Sequence, residues 1–375
     1  MTEREIFQNE VVELSKVNRL LAIEACTGVG KGLSCFRCIE ADTSTKKWLV
    51  VVPEILQIEN LKNDIQKHKM THIYDKIEDI ICYASFSKYE GKSLSLWFNE
   101  VHRLSELKSD ISSTINFDKI IVDSATIPFR VKDRLKTLGK FHYYQLTLQQ
   151  AIDKGIIPEP IIYKISIQLD DKIKRNTKKF GKNTALFTDK AYAERLDLDL
   201  QYWKERFAEN PKDSWITGIL NKTGGTRKAF YVSKKTEKLT ELLEYLGEKR
   251  LICYTGSIEQ SDLLGRERAI HSKKKGKHNI NTLNSFNNKE ISSIFMNKMG
   301  REGLNLTDIE AVIITQLGTG NDEGLEFLQS FGRSLRGINP EAYILYCKGT
   351  KDEKFLDKAL SHINSKYIKE WKNIH

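Results

Sequence analysis

The chain has 375 residues, 40% hydrophobic and 29% charged, with 60 basic against 50 acidic residues and a net charge of +10. Only 6 prolines and 22 glycines occur, which excludes fibrous and largely disordered chains; at roughly 150 residues per domain the length suggests about two or three globular domains. No apolar run approaches the roughly 18 residues of a membrane-spanning helix, and no apolar stretch follows Met1 to Glu5, so a chain without a secretory signal, cytoplasmic and not membrane-bound, is expected.

The first half alternates apolar runs with amphipathic stretches. Leu20–Ala25, Trp48–Pro53, Asp79–Tyr83, Leu94–Phe98 and Lys119–Asp123 read as strands. Short apolar runs bracketed by helical segments predict a parallel sheet covered on both faces. The second half repeats the pattern: Lys228–Val232 reads as a strand followed by a helix through Leu246, then come Leu251–Tyr254, Ser293–Met296, Ala311–Ile314 and Ala342–Cys347. Between the halves, Pro158 and Pro160 punctuate an extended segment, Lys172 to Lys182 is lysine-rich, and Tyr192 to Phe207 has helical periodicity. Leu356, Leu360, Ile363, Tyr367 and Trp371 have helical spacing and predict a C-terminal helix packed on the second half.

The six cysteines are scattered and expected to be reduced. Cys35 and Cys38 have C-x-x-C spacing, but no second ligand pair is placed for zinc, and two helix residues behind a loop is the preferred reading.

The most informative segment is Ala25-Cys26-Thr27-Gly28-Val29-Gly30-Lys31-Gly32. It follows an apolar strand and precedes a helical run, the context of a phosphate loop. The glycines let backbone N–H groups approach phosphate oxygens, the helix N-terminus favours negative charge, and a lysine there reaches the β- and γ-phosphates. The residue after that lysine is normally Ser or Thr, whose hydroxyl binds Mg²⁺; here it is Gly32.

From this loop onward an ordered series of motifs resembles the superfamily 2 helicases of DExH-box type over almost the whole chain. Arg4 and Gln8 resemble the element that reads adenine, with one extra residue between them. Val51-Val52-Pro53-Glu54 with Gln57, and Tyr83-Ala84-Ser85, resemble motifs that touch the nucleic-acid backbone. Asn99-Glu100-Val101-His102 stands where the family has Asp-Glu-x-His, and Ser124-Ala125-Thr126 matches the motif that couples hydrolysis to closure of the lobes. Tyr254-Thr255-Gly256 resembles a further nucleic-acid motif, and Gly300-Arg301-Glu302-Gly303-Leu304-Asn305-Leu306 the glycine-containing motif before the next strand. Gln329-Ser330-Phe331-Gly332-Arg333-Ser334-Leu335-Arg336 matches Q-x-x-G-R-x-x-R in full.

The resemblance implies an α/β fold of two tandem RecA-like lobes, 1–169 and 170–375, each a mostly parallel sheet flanked by helices. It implies ATP and Mg²⁺ between them. Gln8, Thr27, Gly28, Val29, Gly30, Lys31, Gly32 and Gly303 would hold the nucleotide, and Asn99 with Glu100 the metal. Lys31, Glu100, His102, Gln329, Arg333 and Arg336 would carry catalysis: Glu100 on the attacking water, Arg336 as the arginine finger beside Arg333. Ser124 and Thr126 would couple the lobes. Pro53, Ser85, Thr255 and Gly256 would touch nucleic acid, joined by Lys273, Lys274 and Lys275 of the basic run His271–His278, for which a solvated loop is the competing reading. DNA, single-stranded, forked or branched, is the expected partner, with RNA as the alternative and replication or recombination proteins as associates. The bare two-lobed layout suggests a phage or mobile-element helicase working in the host cytoplasm. Gly32 and Asn99 both fall on the magnesium ion, leaving open an active translocase or an ATP- and DNA-binding clamp with weak turnover. A nucleotide kinase or small-molecule ATPase would account for the loop alone.

Overall fold

The computed structural model describes residues 1–105, 110, 112–180, 183–297, 306, 308–317, 332, 340–361 and 363–372. Gly303, Gln329, Arg333 and Arg336 lie outside the described residues. Among the described residues, no helix is long and apolar enough to cross a membrane.

The first lobe opens with α1 (Glu3–Val17), capped by a reciprocal pair of hydrogen bonds between Thr2 and Glu5. It continues through β1 (Leu20–Ala25), α2 (Lys31–Ala41), β2 (Trp48–Val52), α3 (Ile55–Lys67), β3 (Ile77–Cys82), β4 (Ser95–Asn99), β5 (Ile120–Ser124), α4 (Phe129–Lys136), β6 (His142–Leu146) and α5 (Leu148–Asp153). Its sheet has the order β3-β2-β4-β5-β1-β6, with every pairing parallel. Alternate residues of the central strands fill opposite faces. Leu21, Ile23, Val50, Val52, Trp97 and Ile121 pack with Phe7, Val11, Phe36 and Ile39 of α1 and α2, while Ala22, Leu49, Val51, Leu96, Phe98 and Val122 pack with Val131 and Leu135 of α4. Burial on both faces is why these strands are continuously apolar.

The second sheet, β11-β12-β10-β13-β14-β7-β15, is also parallel throughout. It comprises β7 (Ile161–Ile167), β10 (Leu251–Tyr254), β11 (Ala269–Ile270), β12 (Ser293–Met296), β13 (Ala311–Ile314), β14 (Glu341–Cys347) and β15 (Ile368–Glu370). β7 precedes the expected boundary at residue 169, yet it pairs with β14 over its whole length; by sheet membership the chain changes lobes within 154–160.

The lysine-rich stretch forms an antiparallel hairpin, β8 (Asn176–Phe180) and β9 (Asn183–Phe187), leading into α6 (Asp189–Glu209). The strand expected at Lys228–Val232 is instead the middle of α7 (Ser214–Leu246), a helix of 33 residues. Its inward residues Phe230, Tyr231, Lys235, Leu239, Leu242 and Leu246 recur at helical spacing, and the last three pack on Leu251, Cys253, Phe295 and Ile313 of the sheet. The tertiary face overrides the β preference of Phe-Tyr-Val. After β10, α8 (Ile258–Gly265) and α9 (Gly276–Asn287) flank β11. The C-terminal periodicity is only partly helical: α10 (Lys351–Leu360) ends at Leu360, and β15 adds an edge strand to β7.

Candidate nucleotide site

The ends of β4, β5 and β1 are adjacent in the first sheet, so their C-terminal residues converge where ligands bind in open α/β sheets. After β1 the chain turns through Gly28 at φ 88° and Gly30 at φ 93°, left-handed backbone that only glycine adopts freely. Gly30 is the N-cap of α2 and provides no side-chain hydrogen bond to the first-turn amides, which leaves those donors to an anion. Gln8 is buried, only 3% exposed, and a Cβ added to Gly30 would lie 2.6 Å from its Nε2; α1 thus delivers the glutamine to the loop. Lys31 is buried, its Nζ donating to the carbonyls of Ala25 (2.8 Å) and Cys26 (3.3 Å). Val29 anchors the loop in the core, while Thr27 and Gly32 stay half-buried. Space around Gly32 is open: an added Cβ meets nothing within 4 Å.

At the end of β4, Glu100 sits at φ 52°, ψ 58°, a conformation uncommon for a residue with a side chain and a form of strain found at functional sites. It brings the carboxylate to His102 and Ser124. His102 Nδ1 lies 3.0 Å from Ser124 Oγ and 3.4 Å from Glu100 Oε2. Ser124 Oγ is 3.3 Å from Glu100 Oε2 and 2.8 Å from the carbonyl of Thr126. Thus the residues expected to couple hydrolysis to motion, Ser124 and Thr126, are joined to Glu100 through one hydroxyl and one imidazole.

Two carboxylates missed at the sequence level complete the site. Asp123 is fully buried at the end of β5 and accepts from Trp97 Nε1 at 2.7 Å and from the Asn99 amide at 3.1 Å. Burial pushes both Glu100 and Asp123 up. For Glu100 the His102 hydrogen bond, the Lys31 charge and Ser124 outweigh burial and hold it well below the usual carboxylate range; Asp123, facing the Glu100 charge, stays raised. On β1, Glu24 accepts from the Ile127 amide (2.9 Å), Lys132 (2.8 Å) and Gln145 (2.7 Å), tying the segment after Ser124–Thr126 to the strand that leads into the phosphate loop. The signal available for both was a lone carboxylate closing an otherwise apolar run, in Ile120-Ile121-Val122-Asp123 and Leu20-Leu21-Ala22-Ile23-Glu24. Cys35 and Cys38 lie buried on α2, and burial pushes the Cys38 thiol up to about 11.

The residues expected to touch nucleic acid are placed differently from one another. Pro53 and Ser85 are half-buried beyond the ends of β2 and β3. Thr255, beyond β10, is fully buried, with its hydroxyl 3.1 Å from the Ser257 carbonyl and 3.2 Å from that of Met296. The Gly256 amide donates to Gln260 Oε1 at 3.0 Å, and a Cβ there would lie 2.2 Å from Val232; this glycine is a close approach to α7. Lys273 and Lys274 lie 3.7 Å and 3.9 Å from Glu259 and Asp262 of α8, and Lys275 is the exposed N-cap of α9, so all three lysines precede the helix that ends the basic run.

Comparison with known proteins agrees with this architecture. Residues 219–337 match the family described as Helicase conserved C-terminal domain. No curated protein matches the chain. Among solved structures, the helicase domain of Hef from Pyrococcus furiosus is similar at 12% identity and TM-score 0.51, over 95% of this chain and 98% of that one. Dbp5 of S. cerevisiae, bound to RNA and ADP BeF3, is similar at 9% identity and TM-score 0.65, over 97% of this chain and 88% of Dbp5. The chain therefore has the tandem RecA-like fold of these helicase structures, and part of its second half matches the helicase C-terminal family.

Proposed function

We propose that the chain is an ATP-driven nucleic-acid helicase or translocase of DExH-box type, acting on DNA in preference to RNA. The observation that carries the reading is the meeting of the glycine loop with Lys31, the ionised Glu100 and the Glu100–His102–Ser124 contacts at three neighbouring strand ends. Lys31 exchanges its two loop carbonyls for phosphate oxygens of the nucleotide. Glu100 orients the attacking water and takes its proton. Any change in the charge of Glu100 is felt at once by His102 and Ser124, and through the Thr126 carbonyl by the segment that Glu24 pins to β1. Arg336, with Arg333 and Gln329, completes the site from the second lobe as the resemblance implies, and Gly303 approaches the nucleotide.

The donor set suits magnesium: the Asn99 amide oxygen and the Glu100 carboxylate are hard oxygen ligands, and this ion needs only one or two of them besides phosphates and water. When bound, it neutralises phosphate charge. Pro53, Ser85 and Lys275 are proposed strand contacts; Thr255 and Gly256 would act through the backbone they shape, since the Thr255 hydroxyl is turned inward.

Phosphate release measured in parallel with single-stranded DNA, forked DNA and RNA tests this. Stimulation by single-stranded or forked DNA is expected, with abolition in Lys31→Ala and Arg336→Ala. A second reading, a nucleotide-dependent clamp, is favoured by Gly32 and Asn99, and predicts salt-sensitive DNA binding without stimulated turnover. Failure to bind either nucleotide or nucleic acid refutes both.

A further inference from the structure

Asn99 occupies the position at which the helicase resemblance places a metal-binding aspartate. The parallel ladder sets it directly opposite Asp123. Asn99 Nδ2 lies 3.1 Å from Asp123 Oδ1 and 3.3 Å from Oδ2. An ionised carboxylate only accepts hydrogen bonds, and of the two ends of an amide only the nitrogen donates. The contact therefore turns the Asn99 nitrogen toward β5 and leaves its Oδ1 outside that pairing, with no hydrogen bond of its own among the described residues. Trp97, two residues earlier on β4, donates to the same Asp123 oxygen at 2.7 Å and fixes the carboxylate in turn. Asp123 is fully buried and has no salt bridge among the described residues, an arrangement unfavourable for a charge kept only for packing. The Lys31 charge acts on Asp123 as it does on Glu100, so the carboxylate belongs to the electrostatics of the phosphate loop.

Resting on the helicase reading, we propose that Asp123 is the displaced carboxylate of the magnesium site. It supplies from the neighbouring strand the negative charge that Asn99 lacks. As a positioning residue it also holds the Asn99 amide so that oxygen, not nitrogen, is offered to the cation. Position 99 and position 123 then share one function: a carboxylate on either strand and an amide on the other.

The test is a double-mutant cycle of Asn99→Asp, Asp123→Asn and the combined swap. Two readouts are followed: the melting temperature without magnesium, and the magnesium dependence of binding of a fluorescent ADP analogue. Asn99→Asp sets two carboxylates against each other and lowers the melting temperature, whereas the swap restores one donor facing one acceptor and recovers it. Asp123→Asn raises the half-saturating magnesium concentration about tenfold or more, the size expected for loss of a group that orients a metal ligand, and the swap brings it back to within about threefold of wild type. A swap no better than the worse single variant in both readouts, or Asp123→Asn with unchanged magnesium dependence, overturns the proposal. A wild-type protein that binds no nucleotide at any magnesium concentration overturns the helicase reading and the metal role with it, while the metal-free melting cycle still decides whether positions 99 and 123 exchange charge.

Discussion

Replacing Gly32 by serine is expected to strengthen magnesium binding without harming the fold. Gly32 is the second residue of α2, lies outside the left-handed region that holds Gly28 and Gly30, and has open space where a Cβ would go. Serine is the better helix former by about 0.5 kcal/mol. Its hydroxyl would stand where the phosphate-loop pattern places a magnesium ligand. A hydrogen bond or ligand contact to a charged group contributes about 1.5–3 kcal/mol, which converts to roughly a ten- to hundredfold fall in half-saturating magnesium. The assay is binding of a fluorescent ATP analogue across a magnesium titration, with melting temperature measured in parallel. Gly32→Ala is the control: it gains helix propensity of about 1 kcal/mol and provides no hydroxyl. Serine and alanine variants with the same magnesium dependence would refute the assignment of this position to the metal. A lower melting temperature for Gly32→Ala would refute the steric argument.

Three further outcomes follow from the packing. Lys235 and Asp352 form an ion pair at 2.7 Å with both side chains essentially inaccessible, and Lys235 also donates to the Thr315 carbonyl; Lys235→Met strands the Asp352 charge and is expected to lower stability by about 3–5 kcal/mol in denaturant unfolding, with the Lys235→Met/Asp352→Leu double variant recovering most of it. Gly30→Ala combines a positive φ with a Cβ 2.6 Å from Gln8, so nucleotide binding should fall sharply and stability by about 1–3 kcal/mol, read by analogue titration and melting. Burial alone would raise Glu24, but the Ile127 amide, Lys132 and Gln145 hold it below its ordinary 4.5. Because the folded value is the lower one, its stabilisation is present above pH 4.5 and is lost as pH falls through the folded value. Glu24→Gln should therefore flatten the acid limb of the stability profile and lower stability near neutrality by about 1–2 kcal/mol, measured by unfolding from pH 3 to 7.

The central strands were legible because burial on both faces leaves only apolar residues, as in Trp48-Leu49-Val50-Val51-Val52. The glycine loop after β1 was legible because its backbone geometry favours glycine at Gly28 and Gly30. Edge strands were not: β6 reads His-Tyr-Tyr-Gln-Leu with mostly accessible side chains, and β15 has only 3 residues, so neither carries an apolar signal. Phe230-Tyr231-Val232 is a short aromatic and β-branched run with the local preference of a strand, whereas the deciding information, a helical stripe meeting the second sheet, lies farther along at Leu239, Leu242 and Leu246. A motif names residue types but not tertiary partners, which is why it could not foresee that the Thr255 hydroxyl is spent on backbone carbonyls.

The same limit bears on the proposed metal site. Read along the chain, Asn99 is a lost charge, because its partner lies 24 positions away. Read across the sheet, the charge is conserved in place: β4 and β5 are neighbours in register, and a carboxylate moved from one to the other shifts by about one interstrand spacing, some 4.8 Å. Over that distance a charge in a poorly screened interior still acts strongly on a cation, whereas a direct ligand contact would be lost without an oxygen left in its place. In the proposed site Asn99 would offer that oxygen and Asp123, which accepts from its amide nitrogen, the charge. On this proposal the pair separates two properties that a single aspartate combines, and a magnesium-nucleotide site needs both wherever on the sheet they reside.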